Sequence, residues 1–202
     1  MSHGRAPQRR FTLLAAPLAA AALALTLTAC DSGNQTSSGG DTNFVAGKGG
    51  IATAPKGERA DAPNLDGETV DGKQLDLADY KGKVIVLNAW GSWCAPCRLE
   101  SKYFNKVAKE TKDQGVQFVG INTRDNSRGN ALSFEKDHGV VYPSFYDRTG
   151  KLLLRFPKGT FRLQSIPSTV VIDRDGKLAA RVVGPLDDTQ LRKMIDPLIA
   201  EK

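Results

Sequence analysis

A cysteine pair set where a buried strand hands over to a helix is the feature that most constrains this chain. Val84, Ile85, Val86 and Leu87 form a short branched apolar run, the pattern of a strand buried on both faces. Residues 88–92 read as an exit loop. Cys94-Ala95-Pro96-Cys97 follows and leads into a stretch of strong helix formers. A helix begins with unpaired N–H groups and the positive end of its dipole. A Cys94 thiolate placed there is stabilised. Pro96 suits a first turn, because its missing N–H has no intrahelical partner there. Trp93 is expected to shield one side of the pair and leave Cys94 approachable. Cys97 is expected to point inward and to resolve the mixed disulfide that Cys94 makes with a client.

Other uses of the pair carry less support. A structural zinc site normally needs four N or S ligands. The chain offers only Cys30, Cys94, Cys97, His3 and His138. Cys30 and His3 belong to the N-terminal segment described next, so no metal is expected. A purely structural disulfide would close so small a loop that it removes little unfolded-chain entropy. Disulfide exchange is the expectation, and it needs no cofactor.

Residues 1–29 read as a targeting segment, set aside before any fold argument. Arg5, Arg9 and Arg10 give a basic start without an acidic residue, and residues 11–29 are almost wholly apolar or small. The segment ends Leu27-Thr28-Ala29-Cys30, which resembles a bacterial lipobox. That resemblance implies a lipid on Cys30, which becomes the first residue of the mature chain. An uncleaved transmembrane anchor is the competing reading. Both place the rest of the chain outside the cytoplasm, on the outer face of the cell membrane. Lipidation would also settle the cysteine count. Three is awkward for an exported protein, and with Cys30 lipidated one pair remains.

Residues 30–60 are rich in Gly, Ser, Asn and Thr and read as a flexible tether. Residues 61–202 suit one domain with a real core. The formal charge of +6 falls to +3 once the three leader arginines are removed. No basic run is interleaved with aromatics, so no nucleic-acid partner is expected.

Within the domain, Asp71-Gly72 marks a hairpin turn, with residues 68–70 before it and 74–77 after. Residues 84–88 are the first central strand. Leu99, Tyr103, Phe104 and Val107 give residues 97–110 one apolar helical face. Residues 116–121 are the next strand, 122–129 a polar loop, and 130–138 a second helix ended by Gly139. Residues 169–172 read as a central strand, and Asp175-Gly176 turns it into an antiparallel partner at 178–183. Asp187 and Gln190 form a capping box for a last helix, whose apolar face is Leu191, Ile195, Leu198 and Ile199, with Pro197 weakening its last turn. This order gives an α/β fold: a mixed central sheet with helices on both faces and an N-terminal β-hairpin.

Lys81-Gly82-Lys83, Asn88-Ala89-Trp90, Trp93-Cys94-Ala95-Pro96-Cys97, Glu100 and Pro167 together resemble the exported TlpA/ResA-like branch of the thioredoxin superfamily. The resemblance covers residues 61–202. It implies a thioredoxin-like fold and a membrane-attached thiol–disulfide oxidoreductase whose partners are client proteins with disulfides or thiols. It also implies a membrane electron donor, and a role in keeping apocytochrome c cysteines reduced. Ser101 stands where the branch usually has proline after its glutamate, which bears on the shape of the first helix.

The same resemblance implies a cis-proline at Pro167, beside the cysteine pair, with the Ile166 backbone and Trp93 meeting an extended client segment. An ordinary trans-proline opening a strand is the alternative. Glu100 lies three residues past Cys97 and shares its helix face. A partly buried carboxylate there exchanges a proton with the inner thiol; a solvated helix residue is the alternative. Nothing in the sequence places Asp76, Asp79, Arg98 or His138 at the pair. Besides a reductant, the residues admit a disulfide-forming oxidant, a tethered binding module with an inert disulfide, and a peroxidase using Cys94.

Overall fold

The computed structural model of the chain describes residues 42–162 and 164–201. The targeting segment 1–29, the Cys30 lipidation site and residues 31–41 of the tether lie outside the described residues. In chain order the strands and helices are β1 (Val45–Ala46), β2 (Ala52–Thr53), β3 (Asp66–Glu68), β4 (Gln74–Asp76), β5 (Val84–Trp90), α1 (Ala95–Thr111), β6 (Val116–Thr123), α2 (Arg128–Asp137), β7 (Ser144–Asp147), β8 (Ser168–Ile172), β9 (Leu178–Val183) and α3 (Asp188–Ala200). Seven strands form one mixed sheet in the order β1-β2-β9-β8-β5-β6-β7, and β3 and β4 form a separate hairpin. This is the mixed α/β sheet expected from the order of elements.

β5 lies between parallel β6 and antiparallel β8, and all seven of its residues are buried. Ile85, Leu87 and Ala89 pack into one core with Val119, Ile121, Phe145 and Val170. Val84 and Val86 pack into another with Phe104 and Val107 of α1 and Leu191 and Ile195 of α3. β5, β6 and β7 run parallel and step in one direction across the sheet. Right-handed crossovers therefore put α1 and α2 on the same side. The first core is closed instead by the β3–β4 hairpin, through Leu75, and by 3-10 turns at Leu77–Tyr80 and Leu153–Arg155. Both faces carry helical segments, but unequally.

α3 opens with the expected reciprocal box. Asp187 Oδ1 accepts from the Gln190 N–H at 2.7 Å, and Gln190 Oε1 accepts from the Asp187 N–H at 3.1 Å. Pro197 does not end the helix, which runs to Ala200.

The tether boundary at residue 60 needs correction. Val45 pairs with Thr53, and Ala52 pairs with Arg181 of β9, so this segment extends the sheet by two strands. Phe44 is 3 % exposed, with the Arg181 guanidinium 5.3 Å from its ring centre. Ile51, Ala52 and Ala54 are also buried. Arg59 then fastens the segment. Its Nη1 donates to Asp173 Oδ2 at 2.8 Å and to Glu201 Oε2 at 2.7 Å, its Nη2 to Glu201 Oε1 at 2.7 Å, and its Nε to the Ala54 carbonyl at 3.1 Å. Strands of two residues are too short to show an alternating pattern, which is why composition alone read as tether.

Because Phe44 belongs to the core, Phe44→Ala is expected to destabilise the domain by about 3 kcal/mol, the cost of removing a buried ring. Urea unfolding of the two proteins measures it. An unchanged midpoint would return residues 44–54 to the tether.

Candidate active site

β5 ends at Trp90, and α1 starts at Ala95 with Cys94 as its N-cap. Cys94 is extended (φ −85°, ψ 104°), and its Sγ accepts from the Cys97 N–H at 3.2 Å. Pro96 lies in the first turn, where no N–H is needed. Cys94 and Cys97 are joined by a disulfide with Cα atoms 5.3 Å apart. The expectation of an approachable Cys94 does not describe this oxidised state: Cys94 is 3 % exposed and Cys97 2 %. Trp90, Phe134 and Ile166 pack around the bonded pair. Trp93 is 49 % exposed and forms the outward side of the site.

The Ile166–Pro167 peptide bond is cis. Ala89 of β5 pairs with Ser168 of β8, which brings the preceding Ile166 and Pro167 to the strand end that carries the cysteines. Ser168 Oγ donates to the Ser165 carbonyl at 2.7 Å, and the Pro167 carbonyl accepts from the Gly184 N–H at 2.9 Å. The turn is therefore held on both sides.

Glu100 is 2 % exposed. Its Oε1 accepts from Asn88 Nδ2 at 3.0 Å and its Oε2 from the Leu186 N–H at 3.1 Å. Asn88 Nδ2 also reaches Thr169 Oγ1 at 3.3 Å. Burial pushes the Glu100 carboxyl up to about 8, while the donors from Asn88 and Leu186 pull the other way. Glu100, Cys97, Asn88, Ser101 and Tyr142 line one small cavity of about 10 Å³. Burial, then the charges of Glu100 and Glu135, raise the Tyr142 phenol. A carboxyl that titrates near neutrality, sharing a cavity with the inner cysteine, is suited to proton exchange.

Several contributors were not visible in the sequence as site residues. Asn88 marked the family resemblance but gave no hint that it holds Glu100. Arg98, set apart from the pair above, caps the active-site loop: its Nε and Nη2 donate to the Ser92 carbonyl at 3.2 and 2.8 Å. Asp125 read as part of a polar loop, yet it is 1 % exposed. Of the other residues set aside, Asp76 and Asp79 stand at the 3-10 turn Leu77–Tyr80, and His138 lies one ring out from the pair. Asp76 caps the 3-10 turn through the Ala78 N–H, and the His138 ring lies 4.5 Å from that of Phe134.

A disulfide at the start of a helix, beside a cis-proline turn on a mixed sheet, defines a thioredoxin-like protein of thiol–disulfide exchange. A profile of the Redoxin family matches residues 54–195, and the chain belongs to that family. It is a thiol–disulfide oxidoreductase. It is 34 % identical over 134 residues to the thiol-disulfide oxidoreductase ResA of Bacillus subtilis (strain 168), covering 66 % of this chain and 72 % of that protein. Among solved structures it is similar to a DsbF homologue from Corynebacterium diphtheriae, with 39 % identity, a TM-score of 0.69, and coverage of 75 % of this chain and 95 % of the other. A secreted thiol-disulfide isomerase from Corynebacterium glutamicum gives 32 % identity, a TM-score of 0.72, and coverage of 81 % and 100 %.

Glu100 has a consequence for stability against pH. Its carboxyl ionises near the ordinary value in the unfolded chain and near 8 in the folded one. Between these values the folded state binds more protons, so its stability falls as pH rises from about 5 to 8 and levels off above. Glu100→Gln is expected to flatten that slope, which amounts to up to about 4 kcal/mol in the wild type. Urea unfolding at several pH values reads it. A wild-type stability that rises over this range would contradict a carboxyl buried in its neutral form.

Proposed function

We infer that this oxidoreductase works outside the cytoplasm, held to the membrane by lipid on Cys30, and that it reduces disulfides of client proteins. The Cys94 thiolate attacks one sulfur of the client disulfide, forming the mixed disulfide and releasing the first client thiolate. Cys97 then loses its proton and attacks Cys94 Sγ, which releases the second client thiolate and leaves the Cys94–Cys97 disulfide. The client gains two electrons, and the cysteine pair loses them. Glu100, in its ionised form, takes the Cys97 proton. Trp93, Ile166 and Pro167 receive the client segment around its cysteine. A membrane electron donor restores the dithiol, since thiols of the cytosol do not reach this compartment.

The observation that carries the direction is the burial of Glu100 beside Cys97. The buried pocket that keeps Glu100 protonated up to about pH 8 disfavours a Cys97 thiolate as well, and the Glu100 carboxylate formed above that pH disfavours it further. Both effects destabilise the reduced pair and lower its potential. The TlpA/ResA-like resemblance carried by residues 93–97, Glu100 and Pro167 implies the same direction, and with it the client role of reducing apocytochrome c cysteines during cytochrome c maturation.

A second reading, a disulfide-forming oxidant, is favoured by the Cys97 N–H at 3.2 Å from Cys94 Sγ. A donor on a thiolate stabilises the reduced state and pushes toward oxidation of clients. Titration of the pair against glutathione separates the two. The expected potential lies well below the roughly −120 mV of a strong oxidant, and Glu100→Gln is expected to raise it at pH values above about 8, where Glu100 is ionised. A potential near that oxidant's would reverse the direction. In the same protein, Cys97→Ala is expected to trap clients as mixed disulfides on Cys94. A metabolic lipid label is expected on the wild type and lost in Cys30→Ala; a label retained on that variant would remove the anchor from the proposal.

A further inference from the structure

Ser92 stands two residues before Cys94, and all three of its polar backbone and side-chain groups are occupied. Its N–H donates to Asp125 Oδ2 at 2.9 Å, and its hydroxyl donates to Asp125 Oδ1. Its carbonyl accepts the two bonds from Arg98. Asp125 comes two residues after the end of β6 and also accepts from Asn122 Nδ2. Arg124, between them, has φ 57°, the left-handed conformation, so the chain turns sharply here. Its guanidinium carbon lies 5.1 Å from the centre of the Trp93 ring. One turn at the end of β6 thus meets both residues that lead into Cys94.

This contact matters most in the state with the disulfide open. The covalent bond itself keeps Cys94 against Cys97 when the pair is oxidised. In the dithiol, the place of Cys94 at the start of α1 rests on the Arg98 N–H bond to its carbonyl at 3.3 Å, on its packing, and on the loop before it. The Cys94 N–H bonds to the Gly91 carbonyl at 3.1 Å, and the next contacts upstream are those of Ser92. Stabilisation of a thiolate by a helix N-terminus falls off within one turn, so a loosened Cys94 forfeits much of it.

We propose that Asp125 is a positioning residue for disulfide exchange, which fixes Ser92 and through it holds the Cys94 thiolate at the start of α1. It does not touch the reacting sulfur. The assignment is independent of the direction in which the enzyme works, because both directions use the same thiolate.

Position and charge predict opposite outcomes. Removing a nearby negative charge would favour the Cys94 thiolate, whereas removing the anchor of the loop disfavours it. Asp125→Ala removes both charge and anchor. Asp125→Asn removes the charge but keeps the shape. Its Oδ1 can accept from the Ser92 and Asn122 donors, and its Nδ2 can donate to the Ser92 hydroxyl oxygen. In the fully reduced protein, Asp125→Ala is expected to slow iodoacetamide alkylation of Cys94 at pH 7 about tenfold. The equilibrium with glutathione is expected to shift by a similar factor toward the protein disulfide, since the reduced form has lost stabilisation. Asp125→Asn, the conservative variant, is expected to recover both values to within about twofold. Ser92→Ala keeps its N–H bond to Asp125, loses only the hydroxyl bond, and is expected to slow alkylation about threefold; it carries the test should Asp125→Ala fail to fold. Faster alkylation in Asp125→Ala, or equal changes in the alanine and asparagine variants, would assign the residue an electrostatic role instead. A lowered melting temperature with alkylation rate and glutathione equilibrium unchanged would leave only packing. No change in rate for Ser92→Ala would equally overturn the proposal.

Discussion

Everything at this site hangs from one central strand. β5 is hydrogen-bonded along both edges and buried along its whole length. Such a strand has little freedom to shift, because slipping its register by one residue would turn every side chain to the wrong face. Its end therefore delivers Trp90, the exit loop and Cys94 to a defined place. The antiparallel partner β8 brings the cis-proline turn to the same place from the other direction. Asn88, still inside β5, meets both Glu100 of α1 and Thr169 of β8. One strand thus positions a sulfur, a carboxyl and a cis-proline turn.

Glu100 shows two opposing forces in one pocket. Two N–H donors aim at its two oxygens, an arrangement that suits the anion. Burial disfavours the same anion and outweighs them. The balance leaves a carboxyl that changes charge near the pH at which exported proteins work. A fully solvated glutamate would stay ionised there, and one without donors would stay neutral.

The parts of this architecture that recur with a period were open to reading from the chain alone. The run 84–87 and the Asp187–Gln190 box each follow a pattern that physics imposes on a single element. The helix at 97–110 was legible too, but Leu99, read into its apolar face, is 72 % exposed, and Cys97, Glu100, Ser101, Phe104 and Val107 make the buried side. The cysteine pair was legible for the same reason, since its spacing and its place after a strand are local. What stayed hidden was made by contacts between distant segments. Asp125 lies between two arginines and looks solvated until Ser92, thirty-three positions earlier, folds against it. The strand pairing of Val45 with Thr53 involves too few residues to leave a periodic trace. Arg98 bonds a carbonyl, a partner that no side-chain pattern announces.

The Arg59 fork gives the domain something like the strain relief on a cable. A pull on the chain at Thr42 meets Phe44 in its socket first, then β1 against β2 and β2 against β9. Beyond them it meets Arg59, gripped by Asp173 at the far end of β8 and by Glu201 just past α3. Breaking a buried ion pair of this kind costs several kcal/mol. Force entering at Thr42 therefore ends at the end of β8 away from the cis-proline turn, and tension on the chain is kept apart from the geometry on which the sulfur chemistry depends.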